Sequence, residues 1–393
     1  MKVLTVFGTR PEAIKLAPVL RELDRRSTVA ELRTVVCVTA QHRHMLDQVL
    51  DLFEIRPDYD LNVMIEDQTP TRTAATILSQ LEPVLQTENP AWVLVQGDTT
   101  TAAAASLAAF YSRAKVGHVE AGLRTHKKWQ PFPEEINRRV IGMIADLHFA
   151  PTERARQNLL REGVHGDHIL VTGNPVIDAL RWVASLPSRK ASHDVRRSTS
   201  GCPEVKIILV TAHRRESFGK PLENICLALR EVARRYGDRI RVIYPVHSNP
   251  NVWGPVHRML GDVPNIILIP PVDYLEFVNL MKSSHLVMTD SGGIQEEAPS
   301  LGKPVLVLRN VTERPEAEEA GAVKVVGTDT DRILAATTSL LEDSGEYQRM
   351  ARAVNPFGDG NAAERIVRGL LGEPIPHWDI KDQESGAQSP GLF

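Results

Sequence analysis

The sequence predicts an α/β protein built from two Rossmann-like, doubly wound domains, and three features point there. Short β-branched runs alternate with longer helix-patterned stretches along nearly the whole chain. Several of these runs are apolar on both faces, as in Ile207-Ile208-Leu209-Val210, which suits a parallel sheet covered by helices on both sides. The rhythm is broken once, by a polar, basic stretch from Ser185 to Gly201, and then restarts. A chain of 393 residues is long enough for two such domains, and the break is expected to hold their boundary or an insertion beside it.

Strands are predicted at Val3–Phe7, Thr34–Thr39, Trp92–Gln96, Val116–Val119, Leu147–Ala150 and Ile169–Thr172. After the break they follow at Ile207–Thr211, Arg241–Val246, Ile266–Ile269, Leu286–Thr289, Val305–Leu308 and Val323–Val326. Thr9-Arg10-Pro11-Glu12 has capping-box spacing with proline in the first turn, so a helix starts directly after the first strand. Pro18 removes one of its hydrogen bonds and predicts a kink. Arg10-Pro11-Glu12-Ala13 recurs as Arg314-Pro315-Glu316-Ala317, and each copy is expected to put an arginine at a helix start just after a strand. In open α/β sheets ligands bind at that edge, beyond the strand C-termini. Residues 1–175 and 176–355 are assigned to the two domains, 356–372 to a C-terminal helix, and 373–393 to a frayed or disordered tail.

Composition excludes several classes. Lys and Arg total 46 against 49 Asp and Glu, for a net charge of −3 with no basic stripe, so no nucleic acid partner is expected. Cys37, Cys202 and Cys226 are widely spaced without a C-x-x-C, which supports neither a disulfide framework nor a zinc knuckle and fits a reducing compartment. The first apolar run is too short for a signal peptide, and no later run approaches the ~18 residues of a membrane span. A cytoplasmic protein with no membrane anchor is expected. Gly358-Asp359-Gly360-Asn361-Ala362-Ala363 satisfies G-x-G-x-x-A but does not open a βαβ unit, so it is no dinucleotide fingerprint. His42 and His44 stand two apart on a predicted helix and diverge, and no metal site is assigned.

The candidate anion site is Met288 to Glu297, where a strand ends, Gly292 and Gly293 allow close backbone approach, and a helix begins with its free N–H groups outward. Ser291 adds a hydroxyl, and Glu297 is placed to accept from a ribose; a plain turn with a serine cap fits the same residues. Candidate cations are Arg10, Lys15, His213, Arg214, Arg215 and Arg314. Carboxylates follow strands at Asp98 and Glu120, while Glu134 and Arg138 share a helix face. Helix capping is the alternative for Asp98, and first-turn dipole compensation or a pair with Arg138 is the alternative for Glu134.

Six ordered motifs carry a resemblance across nearly the whole chain. They are Gly8 to Lys15, Gly97-Asp98-Thr99-Thr100, His118 to Arg124, Pro131 to Arg138, His213 to Gly219, and Asp290-Ser291-Gly292-Gly293 through Glu297. Together they resemble the bacterial non-hydrolysing UDP-N-acetylglucosamine 2-epimerases. The resemblance implies a GT-B-like fold with two Rossmann-like domains around a central cleft and a C-terminal helix packing back on the first. It implies that Arg10, Lys15, His213, Ser291, Gly292, Gly293, Glu297 and Arg314 hold UDP, with Phe277 touching uracil through its backbone. Asp98, Glu120 and Glu134 would form the acid/base set, His213 would assist catalysis, and Arg138 would orient a carboxylate or phosphate. The implied reaction interconverts UDP-GlcNAc and UDP-ManNAc by eliminating UDP to 2-acetamidoglucal and adding it back, with no cofactor and no metal. An activating second UDP-GlcNAc would meet Gln41, Gln68, Arg214 and His247, although Asp67 stands where regulated members carry an arginine, and Val272 where some relatives carry a glutamine. A homodimer is also implied. The rival functions are a GT-B glycosyltransferase, which gives the three carboxylates no use, a hydrolysing epimerase, and a nucleotide-sugar sensor.

Overall fold

Every strand pairing in the computed structural model, which describes residues 1–27, 31–40, 43–63, 68–187, 205–376 and 378, is parallel. The chain divides into two compact units: Met1–Ala179 with the returning segment from Phe357, and Leu180–Pro356. The division falls inside a helix, four residues past the assigned 175/176 boundary and upstream of the polar stretch expected to hold the boundary or an insertion beside it; residues 188–204 lie outside the described residues. Polarity marks where chain is solvated, whereas a boundary is set by which contacts cross it.

The first unit alternates β1 (Lys2–Phe7), α1 (Arg10–Ser27), β2 (Arg33–Val38), α2 (Arg43–Phe53), β3 (Tyr59–Asp60), α3 (Pro70–Glu88) and β4 (Trp92–Gln96). It continues with α4 (Thr100–Tyr111), β5 (Lys115–Val119), α5 (Glu134–Ile144), β6 (Leu147–Ala150), α6 (Glu153–Arg161), β7 (Ile169–Val171) and α7 (Pro175–Ser185). The sheet order is β3-β2-β1-β4-β5-β6-β7, so the winding reverses between β1 and β4. Leu4, Val6, Val93 and Val95 form its core with α4, whose run of alanines lets it lie close between α3 and α5. β3, only two residues long, is the strand no periodicity could predict. α1 continues through Pro18 to Ser27.

The second unit runs β8 (Lys206–Thr211), α8 (Lys220–Tyr236), β9 (Ile240–Pro245), α9 (Pro250–Leu260), β10 (Ile266–Ile269), α10 (Tyr274–Ser283) and β11 (Leu286–Thr289). Then come α11 (Gly292–Ser300), β12 (Val305–Val307), α12 (Pro315–Glu319), β13 (Val323–Val325), α13 (Thr330–Glu342) and α14 (Ser344–Ala351). Its order, β10-β9-β8-β11-β12-β13, repeats the run β3 to β6 of the first sheet with β8 in the place of β1, and β7 has no counterpart in it among the described residues. Both units are therefore Rossmann-like, the two domains of a GT-B-like fold in one chain, and each has its own switch point. The repeated Arg-Pro-Glu-Ala tetrapeptide does not follow this symmetry. Its first copy opens α1 after β1, and its second lies beyond β12, whose counterpart is β5, seven residues past the strand end.

The last helix, α15 (Ala362–Leu371), packs on α1. It is fixed by Asp178 of α7, which accepts the Ala362 and Ala363 amides at 3.3 and 2.9 Å, and by the Asn174 amide donating to the Phe357 carbonyl at 2.6 Å. Gly173 has φ of +82°, and a Cβ there would lie 3.2 Å from Gly358 Cα, so only glycine lets the two segments meet.

Candidate active site

The loops leaving β1, β4 and β5 bring the acidic residues of the first unit together. Glu12 is fully buried and accepts the Gly8 and Thr9 amides at 3.0 and 2.7 Å and the Thr99 hydroxyl at 2.6 Å, tying the β1 loop to the β4 loop. Burial pushes its carboxyl up despite these bonds. Thr99 caps α4 through its own side chain, so Asp98 beside it is not the cap. Asp98 Oδ2 accepts two N–H groups of Arg138, at 2.6 and 3.2 Å, and its carbonyl accepts from Asn137 at 3.0 Å.

Glu120 follows β5 with φ of +63°, a left-handed conformation that costs a non-glycine residue about 1 kcal/mol, and its side chain is buried. Its carboxylate takes bonds from Lys15, from Arg138 at 3.1 Å and from Asn174 at 2.9 Å, and its carbonyl takes another from Arg138. Burial lowers the pKa of the Arg138 guanidinium, but Asp98 and Glu120 outweigh it and the net shift is upward. The result is two carboxylates balanced by two cations. Lys15, expected on a diphosphate, here meets a carboxylate of the protein. His118 on β5 bonds the Gly97 carbonyl at 2.7 Å, and burial holds its pKa well below the usual histidine range. Arg10 and Glu134 are the first residues of α1 and α5.

The second unit assembles a different chemistry at its switch point. α11 begins at Gly292, and Ser291 before it makes no side-chain cap bond, so its hydroxyl is not occupied as a serine cap would be. Arg314 lies over the helix start: a Cβ on Gly292 would come within 3.0 Å of its Nη1. It is held there by Glu296 and Glu313, both at 2.7 Å. Glu297 accepts the Tyr274 hydroxyl at 2.8 Å, and Phe277, one turn along α10, donates its amide to the Asp273 carbonyl at 2.9 Å. His213 and Arg214 leave β8 with their amides on the buried Asp290, and the His213 ring is stacked on His247 at 5.3 Å between centroids. Gln68 is half-buried, and Gln41 and Asp67 lie outside the described residues.

The family model for UDP-N-acetylglucosamine 2-epimerase matches residues 21–371. The chain belongs to that family. It is accordingly an isomerase acting on carbohydrates. The UDP-N-acetylglucosamine 2-epimerase of Escherichia coli K12 is 57% identical over 381 residues, covering 95% of this chain and all of that one. Among solved structures, UDP-GlcNAc 2-epimerase from Neisseria meningitidis bound to UDP-GlcNAc superposes with a TM-score of 0.88 at 51% identity, over 95% of this chain and 100% of the other. The Methanocaldococcus jannaschii family member in complex with UDP-GlcNAc and UDP gives 0.79 at 35% identity, over 95% and 100%.

Sequence reading passed over Asn174, Asn137, Tyr274 and Glu12 as site residues, and left Asp290 without a role. Asn174 had a signal, since it follows β7 on the same edge as Asp98 and Glu120; the others show only through their contacts. Burial pushes the Cys37 and Cys226 thiols up to about 12, and Cys202 lies outside the described residues. Among the described residues no helix is long and apolar enough to cross a membrane, and no group of His, Cys, Asp and Glu is arranged to hold a metal.

Proposed function

We propose that the protein interconverts UDP-N-acetylglucosamine and UDP-N-acetylmannosamine by eliminating UDP and adding it back with C2 inverted. One observation carries this reading: the two switch points hold complementary chemistries. Carboxylates are locked to cations in the first unit, and in the second a helix N-terminus without a side-chain cap lies beside Arg314.

The C2 hydrogen is not next to a carbonyl, so simple deprotonation meets a very high barrier. In the proposed step C2 gives its proton to a carboxylate, its electron pair becomes the C1=C2 bond of 2-acetamidoglucal, and the C1–O bond breaks with its pair onto UDP. Protonation of the other face and return of UDP to C1 complete the inversion. Charge growing on the diphosphate is met by the α11 amides, Ser291, Arg314, His213 and Arg10. Glu297 takes the ribose hydroxyls and Phe277 the uracil. Asp98 is the acid/base residue with an open oxygen. Its Oδ1 makes no hydrogen bond among the described residues and its side chain is 28% exposed, against 4% for Glu120, both of whose oxygens are engaged. Glu134 serves the opposite face, and Glu120 holds Arg138 and Lys15 in register.

A homodimer belongs to the same reading. Ile136, Val140 and Met143 are exposed at helical spacing along one face of α5, with Trp129 and Phe132 exposed just before it, which suits a second copy of the chain. The decisive experiment is incubation with UDP-GlcNAc in deuterated water, followed by NMR. Deuterium at C2 together with UDP-ManNAc is expected. UDP with free sugar would indicate hydrolysis, and an unchanged substrate would indicate a transferase or a sensor.

A further inference from the structure

We propose that Asp290 is the positioning residue for His213, holding its imidazole with Nδ1 toward the carboxylate and Nε2 toward the departing diphosphate. Asp290 directly follows β11 and is fully buried. Its Oδ2 accepts the amides of His213 at 2.7 Å and Arg214 at 2.8 Å and the Ser217 hydroxyl at 3.2 Å, so one oxygen shapes the loop leaving the neighbouring strand β8. The other oxygen, Oδ1, is shut off from solvent and accepts no hydrogen bond among the described residues. It lies 3.6 Å from Nδ1 of the His213 ring.

A buried carboxylate oxygen without a donor is costly, while 3.6 Å is too long for a hydrogen bond. A small in-plane shift of the imidazole closes the gap, and bonds of this kind often tighten only when ligand binds. The stacked His247 ring, 9° from parallel, covers one face of His213 and favours in-plane movement. Once Nδ1–H is on Oδ1, Nε2 lies at the far end of the ring from the carboxylate, and the carboxylate keeps the ring oriented as charge develops. The inference rests on the proposed role of His213 at the diphosphate.

The test is 15N solid-state NMR of the UDP-saturated protein labelled at histidine, with the His213 signals assigned by their loss in His213→Gln. Nδ1 is expected to carry a proton. In Asp290→Asn the new amide can donate to Nδ1, so Nδ1 should lose its proton and Nε2 should keep one. C2 exchange by Asp290→Asn should fall roughly 10²-fold in kcat with KM within a few-fold, and the substitution should add nothing to His213→Gln. A purely structural Asp290 would instead lower UDP affinity and thermal midpoint together with kcat. An unprotonated Nδ1 in the UDP-bound wild type, an unchanged kcat in Asp290→Asn, or independent, multiplying effects of the two substitutions would overturn the proposal. If Asp290→Asn does not fold, the wild-type spectrum decides. If the wild type exchanges no C2 hydrogen, the epimerase reading fails on that result alone, and the NMR still reports on the Asp290–His213 contact.

Discussion

Arg138 shows how much of this site depends on single side chains. One guanidinium reaches the Asp98 carboxylate, the Glu120 carboxylate and the Glu120 carbonyl, a fan that the single ammonium of lysine cannot reproduce. Arg138→Lys should therefore lower kcat for C2 exchange by roughly 10²-fold or more while leaving UDP affinity nearly unchanged, as stopped assays and calorimetry would show. Glu120→Gln is expected to abolish exchange. It leaves Lys15 and Arg138 with less compensating charge, at a cost to stability of order 3–5 kcal/mol for a broken buried pair. UDP binding is the control, because the groups assigned to it lie mostly in the other unit. Loss of UDP affinity in Glu120→Gln would instead give Glu120 a part in binding, beyond holding Arg138 and Lys15 in register.

At the level of elements, the contact between α7 and α15 is sensitive to pH. Burial pushes Asp178 up to about 6, against the two amides it accepts. Between the unfolded value of 3.8 and about 6, the native state holds a proton that the unfolded chain has already released. This contribution is fully present below the unfolded value, and stability falls as pH rises through the window. Asp178→Asn should flatten that part of the profile, so the gap between wild-type and variant urea midpoints should change between pH 4 and pH 7. A constant gap would show that Asp178 does not titrate in the window. Arg365 acts in the other direction, holding Asp359 down to about 2 even though burial opposes it, so this pair stays ionised throughout.

At the level of the whole molecule, the returning segment that begins at Phe357 and carries α15 belongs to the unit that contains Met1. Ending the chain at Pro356 removes α15 from α1 and α7. Limited proteolysis should then degrade the first unit while a fragment containing Leu180–Pro356 survives; equal resistance of both would mean that α15 is dispensable. Association can be tested separately. Met143, 87% exposed on α5, should tolerate glutamate without loss of fold. Met143→Glu should shift the sedimentation coefficient toward monomer, and an unchanged value would place any dimer contact elsewhere.

Alternating β-branched runs and helical stretches were enough to read two wound α/β domains and all but one short strand, because strand and helix periods are written into local sequence. The candidacy of Asp98, Glu120, Glu134 and Ser291 rests on a related pattern: each stands at the start of a helix or just past a strand, at the edge where such sheets bind ligands, with Glu297 about one turn further along α11. Partner choice was not legible. That Lys15 turns to Glu120, that Arg138 spans Asp98 and Glu120, that Asn174 joins them from beyond β7, and that Asp290 rather than a nearer neighbour faces His213 all depend on parallel strands bringing distant loops side by side. Sequence spacing records neighbours along the chain; burial and charge compensation choose neighbours across the sheet, and those become defined only when the crossovers are closed.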